Sequence, residues 1–556
     1  MRINKIFLSI FASCSLTACS YLDFDESVGQ TKEEVYSTFD NIRQLVTGVY
    51  SFLPQDFGVM GNALRESASD NALYVWNTSA VYKIYEDKWS PSITIDDVWG
   101  TMYTGIQAAN SYLENYNEEY LELLSLNADY KEQIEKFRMY PFEVRALRAF
   151  YYFELIKRYG DVPLVTKTLQ LDEVNSLKRT PYTEVVDFIV RECDEIAPQL
   201  PIRQNDFYLE TGRVTRGMAM ALKARTLLYA ASPLHNASGN RELWKKAAEA
   251  AYDLIETGWY SLPNIDNDPI YDVNGGNEIL KSSQLIFERR NGDSDSFERL
   301  NLPIGFEGGN SGNVPTQNLV DAYEMASGEP FSWDNPEHVK FPYEDENGNK
   351  TRDPRFYKTI VYNGSKLMNT VVETFEGGKN GLPLVGATPT GYYLRKYINE
   401  TVSLSPENPI SKPHHYILFR YAEILLNYAE AMHEWQGGNN PDYTDNEFPL
   451  SARATLNMVR NAANMPDITE SGSAFTERLR NERRIELAFE DHRYWDIRRW
   501  KMGEKVQDIY GVKITKSGTY TKVNVQKRIW DDKMYLYPIS QQEIYKNPQL
   551  GQNEGW

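Results

Sequence analysis

Cysteine is scarce in this chain of 556 residues, which contains only three. Cys14 and Cys19 lie within the first nineteen residues, so Cys193 is the sole cysteine in the rest of the sequence. A single thiol cannot form an intrachain disulfide, and stability must therefore come from a large hydrophobic core, which a chain of this length can build. Cys193 lies among apolar helix positions, which is typical of a small buried hydrophobe.

Long apolar runs and positive charge are also in short supply. Beyond residue 19 no apolar run reaches the length that spans a bilayer. The formal net charge is −19, and a chain this acidic repels phosphate backbones and other polyanions. We therefore expect no nucleic-acid partner, and a polyanionic ligand is disfavoured unless a local basic cluster overrides the overall charge.

The first eighteen residues have the pattern of a lipoprotein signal peptide. Arg2 and Lys5 precede a short apolar stretch at residues 6–16, and small residues lead directly to Cys19. This arrangement resembles the lipobox of bacterial lipoproteins, which implies cleavage after residue 18 and acylation of Cys19. Two or more acyl chains hold a protein stably on a membrane. The alternative is an ordinary secretory signal with an incidental cysteine.

Residues 19–30 are predicted to form an acidic tether. Asp23, Asp25 and Glu26 follow Cys19 closely, which resembles the signal that sends lipoproteins of some gut-type bacteria to the outer face of the outer membrane. The alternative is a solvated linker without targeting function. We expect a protein that is lipid-anchored in the outer membrane and faces the cell exterior.

Apolar residues recur every three or four positions in several segments before residue 260, which predicts helices. The predicted boundaries are an N-cap at Asp96, a start near residue 141 with a stop at Gly160, a start at Pro181, an N-cap at Thr215 and a helix over Leu243–Ile255. These helices suggest an array of antiparallel pairs. Their spacing does not show the period near 34 residues of tetratricopeptide repeats, so periodicity alone leaves the repeat class open.

A long irregular segment follows this helical region. Glycine- and asparagine-rich clusters alternate there with short strand-like pieces such as Gln284–Glu288 and Phe356–Val361. Irregular segments of this length inside a compact protein are usually functional loops. Helical periodicity then returns. We predict one domain over residues 31–556, made of a helical array at about 31–258, an irregular insertion at about 259–412, and carboxy-terminal helices and tail at about 413–556.

Several motifs resemble those of the SusD/RagB family of outer-membrane nutrient-binding lipoproteins. They are Arg145–Ala149 with Tyr159–Leu164, Ala221–Arg225, Asp353–Arg355, Phe419–Ala431, Glu482–Glu490, Trp495–Trp500, Tyr537–Ile539 and Asn547–Pro548. The resemblance implies a mainly α-helical scaffold of tetratricopeptide-like helix pairs with a large irregular region packed on it. It also implies a lid over a SusC-like TonB-dependent outer-membrane transporter, with the ligand held between the two proteins.

No catalytic motif is found, and we expect neither an enzyme nor a cofactor. Glu482, Glu486 and Glu490 lie four residues apart among arginines, which lower a carboxyl pKa, whereas a glycosidase acid needs its pKa raised. We interpret them as members of a structural ion-pair network. No metal site is expected either. The neighbouring His414 and His415 point in different directions on any regular element, and the aspartates at 266, 268 and 272 miss the spacing of a calcium loop.

Aromatic side chains in loops are the best candidates for ligand contact, because sugar rings stack on flat apolar faces. Aromatic residues make up 13% of the chain, many of them expected in the core. In the starch-binding relative of this family, an aromatic arc arises from the segment before a helix and from later loops. By position, the candidates here are Trp89, Trp76, Asp70, Asn71 and Tyr82 in the first segment and Arg289, Arg290, Phe297, Phe306 and Trp333 in the second.

The sequence therefore predicts a cell-surface protein that captures a glycan and delivers it to a partner transporter. Capture of oligopeptides by the same kind of importer is the nearest alternative, since the family includes peptide importers. A mainly structural lid is a second alternative. A hydrolase is the weakest of the alternatives.

Overall fold

The structure is a computed structural model that describes residues 35–556 apart from 37, 123, 203–211 and 273–274. The signal peptide, Cys19 and the acidic tether lie outside the described residues. The fold is mainly α-helical, as predicted. None of its helices, within the described part of the chain, is both long and apolar enough to cross a membrane.

The main helices are spread over the whole described chain. They are α1 Phe39–Tyr50, α2 Trp99–Asn115, α3 Tyr130–Tyr159, α4 Tyr182–Ile196, α5 Arg216–Ala231, α6 Arg241–Ile255, α7 Tyr421–Trp435, α8 Ala452–Ala462, α9 Gly472–Glu486 and α10 Arg493–Arg499. Shorter helices cover Val81–Tyr85, Glu119–Glu122, Leu171–Val174, Ser296–Asn301, Gln317–Ala322, Pro336–Lys340, Pro354–Thr359 and Gln541–Lys546. Each helix from α2 to α8 packs on the next, so α7, which follows the irregular segment, completes the array against α6.

Most helix ends follow the predicted signals. The Thr215 hydroxyl accepts a hydrogen bond from the Met218 N–H and caps α5. Gly160, at a φ of 69°, ends α3. The start of α3 near residue 141 was wrong, because the helix begins at Tyr130 and continues through Pro141.

Asp96 is not the N-cap of α2. Val98 occupies that position, and the Asp96 carboxylate is instead ion-paired with Arg65 at 2.7 Å and with Arg158 at 3.1 Å. The attraction of two buried guanidinium groups therefore outweighs the single hydrogen bond that a helix cap would supply.

The segment between α6 and α7 contributes most of the short strands. The strands are β1 Ala72–Tyr74, β2 Leu285–Arg289, β3 Asp293–Ser294, β4 Asn313–Pro315, β5 Ile360–Val361, β6 Lys366–Leu367, β7 Thr370–Val371, β8 Tyr393–Leu394, β9 Lys412–Pro413, β10 Tyr416–Arg420, β11 Asp508–Ile514 and β12 Tyr520–Lys527. They pair antiparallel in two-stranded sheets: β1 with β4, β2 with β10, β3 with β9, β5 with β8, β6 with β7 and β11 with β12. The strand predicted at residues 284–288 is present as β2, whereas 356–361 is mostly helical and only its end forms β5.

Two large hydrophobic cores hold these parts together. The larger joins the helices before residue 255 to residues 416–550. The smaller lies under the irregular segment and includes Leu64, Leu73, Val314 and Phe356. The β1–β4 ribbon, with Leu73 opposite Val314, connects the early loop segment to the insertion and so positions the candidate site.

Candidate ligand-binding surface

Trp76 follows β1 and lies at the surface with its indole partly exposed. The Val75 N–H donates to the Gly312 carbonyl at 2.9 Å, and the Trp76 Nε1–H donates to the Asn310 carbonyl at 2.7 Å. A Cβ placed on Gly386 would lie 2.8 Å from Cζ2 of Trp76. The indole is thus fixed by one loop of the insertion and contacted along its edge by a second.

Those two loops pack on each other. The Asn380 Nδ2 donates to the Ile304 carbonyl at 2.7 Å, and a Cβ on Gly305 would lie 2.8 Å from the Lys379 carbonyl oxygen. Phe306, in the first loop, is partly exposed. We call residues 75–78, 303–311 and 379–386 together the Trp76 surface.

The second loop adds aliphatic side chains to this surface. Leu382, Leu384 and Val385 are 49%, 43% and 77% exposed. Contiguous exposed apolar residues are uncommon on a soluble protein and mark interaction sites. The Trp76 surface therefore combines one oriented indole with an apolar border.

A pocket of about 350 Å³ lies between the loops 55–64 and 291–301. Side-chain amides of Gln55, Asn62 and Asn291 line it, so we call it the amide pocket. The Asn291 Nδ2 donates to the Gln55 Oε1 at 2.8 Å and to the His414 carbonyl at 2.7 Å. These bonds connect the two loops to each other and to the residue that follows β9. The rings of Phe57 and Phe297 meet edge to face at 5.1 Å in its wall.

The amide pocket and the Trp76 surface share structural supports. The Ser79 hydroxyl contacts the carbonyls of Met60 and Gly61 at 2.8 Å, so the pocket loop packs on the chain immediately after Trp76. The Leu64 N–H donates to the Asn313 Oδ1 at 2.9 Å, and Asn313 belongs to β4, the partner of β1. Both sites are therefore built on the same ribbon.

Trp89 was expected at the ligand, and the structure places it in the core instead. Its side chain is 2% exposed and packs edge to face against Trp556 at 4.7 Å and Tyr537 at 5.2 Å. A ring enclosed by other rings has no free face for a sugar. The expectation for Trp89 is corrected accordingly.

Asp70 and Asn71 are also buried. Asp70 pairs with Arg493 at 2.8 Å and Arg484 at 3.0 Å. Burial alone would raise the pKa of Asp70, but the two guanidinium groups lower it to about 2. Asn71 donates to Glu66 and accepts from Arg484. Both side chains are occupied by structural contacts, so we no longer assign them to the ligand.

The arginine candidates lie apart from Trp76. Arg289 donates to the Leu53 carbonyl, and Arg290 pairs with Glu288 at 3.0 Å beside Gly212. Each is partly exposed, and each already has a protein partner. The structure does not bring them onto the Trp76 surface.

The remaining aromatic candidates are distributed over three places. Tyr82 is half-buried and donates to the Tyr74 carbonyl at 3.0 Å, and burial raises its pKa to about 12. Phe297 is 6% exposed and forms part of the amide pocket wall. Trp333 donates to Asp321 at 3.1 Å and packs on Phe331. Of the ten candidates, Trp76 and Phe306 share the Trp76 surface.

Sequence reasoning missed two loops of this region. The loop 379–386 contains four consecutive apolar residues, Leu382 to Val385, between glycines. An apolar run bounded by glycines in an irregular segment is a sign of an exposed contact loop, and this signal could have identified the loop. The loop 55–62 gave no comparable signal.

The charged helix α9 contains carboxylates that could be mistaken for acid catalysts. Glu486 accepts hydrogen bonds from Arg420 at 2.7 Å and Arg355 at 2.8 Å. Burial would raise the pKa of Glu486, but these arginines lower it to about 2. A carboxyl with so low a pKa stays ionised and cannot act as a general acid near neutral pH. Among the described residues no three His, Cys, Asp or Glu side chains cluster as metal ligands.

The fold and this surface define a helical scaffold protein whose loops carry a candidate recognition site. The SusD family model matches residues 284–556, and a second model, described as starch-binding associating with outer membrane, matches residues 20–228. The chain belongs to the SusD-like family.

Similar proteins span nearly the whole chain. A SusD-like protein of Formosa agariphila is 23% identical over 99% of this chain and 98% of its own length. The crystal structure of a SusD-like protein from Bacteroides fragilis has a TM-score of 0.75 at 27% identity and covers 96% of this chain and 99% of that one. A SusD-like carbohydrate binding protein from the same organism has a TM-score of 0.72 at 26% identity, covering 93% and 99%.

Proposed function

We propose that this protein captures a glycan at the cell surface on its Trp76 surface and delivers it to a SusC-like TonB-dependent outer-membrane transporter. The observation that carries the proposal is the Trp76 indole, which is partly exposed and oriented by the hydrogen bond to the Asn310 carbonyl. A flat ring held in this way stacks on the C–H face of a sugar without losing further freedom on binding.

The anchor is part of the proposal. An acylated Cys19 holds the protein in the outer membrane with the loops facing the exterior, and the acidic residues that follow act as a tether. A lid attached in this way closes over its transporter while the ligand remains between the two. Related proteins support the binding role, since one similar structure is described as a carbohydrate binding protein.

The expected affinity suits transfer to a transporter. Two or three stacking contacts and a few hydrogen bonds, each worth roughly 1 kcal/mol, give about 5 kcal/mol. This free energy corresponds to a dissociation constant of about 10⁻⁴ M. A ligand held weakly by the lid is released readily, and the transporter supplies additional contacts when the lid closes.

The proposal excludes catalysis by this chain. In the charged carboxy-terminal motif, the basic partners of Glu486 and Glu490 lower the pKa of both carboxyls and so hold them ionised. We expect no reducing sugar to be released when the purified protein is incubated with a polysaccharide that it binds.

The test is a binding screen of the lipoprotein, purified in detergent, against plant, host and microbial polysaccharides, followed by isothermal titration with the best ligand. Trp76→Ala is expected to weaken binding about ten-fold or more, from the loss of stacking and buried area. Tyr545→Ala is the matched control, because Tyr545 is an aromatic side chain, 78% exposed, on the short helix Gln541–Lys546 away from the ligand loops.

Each alternative predicts a different result. A peptide-capturing subunit binds oligopeptides and none of the polysaccharides. A mainly structural lid binds neither alone, and Trp76→Ala then leaves uptake by intact cells unchanged. Either result contradicts glycan capture on the Trp76 surface.

A further inference from the structure

We propose that the amide pocket binds one uncharged sugar unit, a chain end or a short side branch of a neutral glycan whose neighbouring units lie on the Trp76 surface. This inference rests on the proposed function and narrows its ligand class. It assigns a role to a cavity that no sequence motif indicated.

The size of the pocket fits a single small unit. Its volume of about 350 Å³ is at the lower end of the range of small-molecule pockets, about 300–1,000 Å³. Its walls come from residues 55–64 and 291–301, and Asn313 and His414 also line it. A volume of this size holds one sugar unit and little more, which suits a chain end or a side branch of a polymer.

The polar groups of the pocket match hydroxyl groups. Asn62 has no side-chain hydrogen-bond partner among the described residues, and the same holds for the Gln55 Nε2. Asn291 uses its amide hydrogens on Gln55 and His414, which leaves its Oδ1 as an acceptor. Side-chain amides offer donors and acceptors together, as a sugar hydroxyl does.

The apolar part of the pocket supplies a ring contact. Phe57 is partly exposed and is held by edge-to-face contacts with Phe297 at 5.1 Å and with Tyr397 and Tyr416 at 5.1 and 5.2 Å. Four rings in contact fix the orientation of Phe57. A rigid aromatic ring beside free amides is the combination that selects a sugar ring over a purely apolar ligand.

The charges around the pocket disfavour an acidic sugar. Among the described residues no lysine or arginine lines it, and the exposed acidic side chain in its lining is Asp293. The nearby guanidinium groups are already paired, Arg299 with Asp295 at 2.6 Å and Arg290 with Glu288 at 3.0 Å. A uronate or a sulfated sugar would enter without a cation to offset its desolvation.

The pocket loop packs beside the chain segment that carries Trp76. Gly61, in the pocket loop, is so close to Ala80 that a Cβ on it would lie 2.6 Å from the Ala80 nitrogen. Trp76 stands at the other end of this short segment. A glycan that extends along this segment would occupy the pocket with one unit and stack another unit on Trp76.

The experiment compares polysaccharides and two pocket variants, using the full lipoprotein in detergent. The neutral probes are galactomannan, arabinoxylan and xyloglucan, and the acidic probes are polygalacturonate and alginate. We expect binding to at least one neutral branched polymer, none to the acidic ones, and a dissociation constant that changes less than about two-fold when added salt rises to about 0.5 M.

The variants are Asn62→Gly and Gln55→Ala. Asn62 has a φ of 71°, so glycine removes the amide without straining the backbone. Each variant is expected to weaken binding of the neutral polymer about five- to ten-fold, the loss of one or two hydrogen bonds. Asn369→Gly is the matched control, an exposed asparagine at a φ of 61° in the β6–β7 turn, and should bind as the wild type does.

The outcomes separate this inference from the proposed function. If both pocket variants bind like the wild type while Trp76→Ala does not, the pocket is not a sugar site and glycan capture stands. If an acidic polymer binds more tightly than the neutral ones and added salt weakens that binding, the neutral ligand class is wrong. Glycan capture would still stand. If the wild type binds no polysaccharide, the proposed function fails and this inference fails with it.

Discussion

At the scale of single residues, two tryptophans of one loop segment have opposite environments. Trp76 keeps part of its indole at the surface, fixed by the Asn310 carbonyl. Trp89 is enclosed by Trp556 and Tyr537 and is 2% exposed. We therefore expect the first to affect binding and the second to affect stability.

Trp89→Ala should destabilise the fold by about 3–5 kcal/mol, because it leaves a cavity among packed rings. Urea unfolding followed by circular dichroism measures this change in the free energy of unfolding. Trp76→Ala, at a partly exposed position, is the comparison and should cost much less. A Trp89→Ala protein with wild-type stability but no ligand binding would contradict the assignment.

These residues also show where sequence reasoning ended. The segment around Trp76 and Trp89 is rich in aromatic and amide residues and has no helical period. These local features predicted a loop and made both tryptophans candidates for ligand contact. Nothing local shows that Trp89 meets Tyr537 and Trp556, because these partners lie at the far end of the chain. Burial by distant residues can be known only once the fold is known.

Buried carboxylates of several elements give a prediction about pH. Burial raises the pKa of Asp70, Glu430 and Glu486, but their arginine partners lower each to about 2. In the unfolded chain the pKa of these groups returns to about 3.9 for Asp and about 4.3 for Glu. Because the folded-state pKa is the lower one, their contribution to stability is fully present above about pH 4.5 and is lost as the pH falls toward 2.

The urea midpoint is accordingly expected to stay high down to about pH 4.5 and to fall steeply between about pH 4 and 2. Circular dichroism at a series of pH values measures it. A midpoint that is unchanged at pH 3, or that rises there, would show that these carboxylates are not held ionised by their partners.

At the scale of elements, helix α9 carries ion pairs that lock the insertion onto the helical array. Arg355 comes from the insertion, Arg420 ends β10, and both contact Glu486 of α9. Tyr271 donates to the same carboxylate at 2.6 Å. One side chain thus joins three segments far apart in sequence.

Glu486→Ala leaves two buried guanidinium groups short of a partner and is expected to destabilise the protein by about 3–5 kcal/mol. Glu477→Ala on the exposed side of α9 is the control and should change stability by less than about 0.5 kcal/mol. Equal effects of the two substitutions in urea unfolding would refute the locking role.

Helices were more predictable than loops for a physical reason. The apolar period of α5 and the Thr215 cap are local signals, and both are confirmed. The start predicted near residue 141 was wrong, because α3 begins at Tyr130 and continues through Pro141, where much of the helix is packed in the core. The contact between loops 303–311 and 379–386 is not local, so no periodicity predicted the Trp76 surface.

At the scale of the whole molecule, we propose that residues 31–556 form one domain. The larger hydrophobic core includes residues from both sides of the irregular insertion, from Tyr36 to Leu254 and from Tyr416 to Leu550. Helices that share a core across an insertion do not fold as separate units. The insertion is therefore held at both ends, which keeps its loops in fixed positions.

Attachment to the membrane is tested at the same scale. Cys19→Ala is expected to abolish incorporation of labelled palmitate and to release the protein from the membrane fraction, because no acyl chain remains. Cys193→Ala is the control and should be labelled as the wild type is, since Cys193 is buried. Equal palmitate labelling of Cys19→Ala and the wild type would contradict the anchor.

The most direct test of the account is a crystal structure of the protein with the oligosaccharide that the screen selects. We expect a sugar ring stacked on the Trp76 indole, bordered by loops 303–311 and 379–386. Ligand bound elsewhere, for example in the apolar cleft between α2 and residues 163–177, with the Trp76 surface empty, would contradict it.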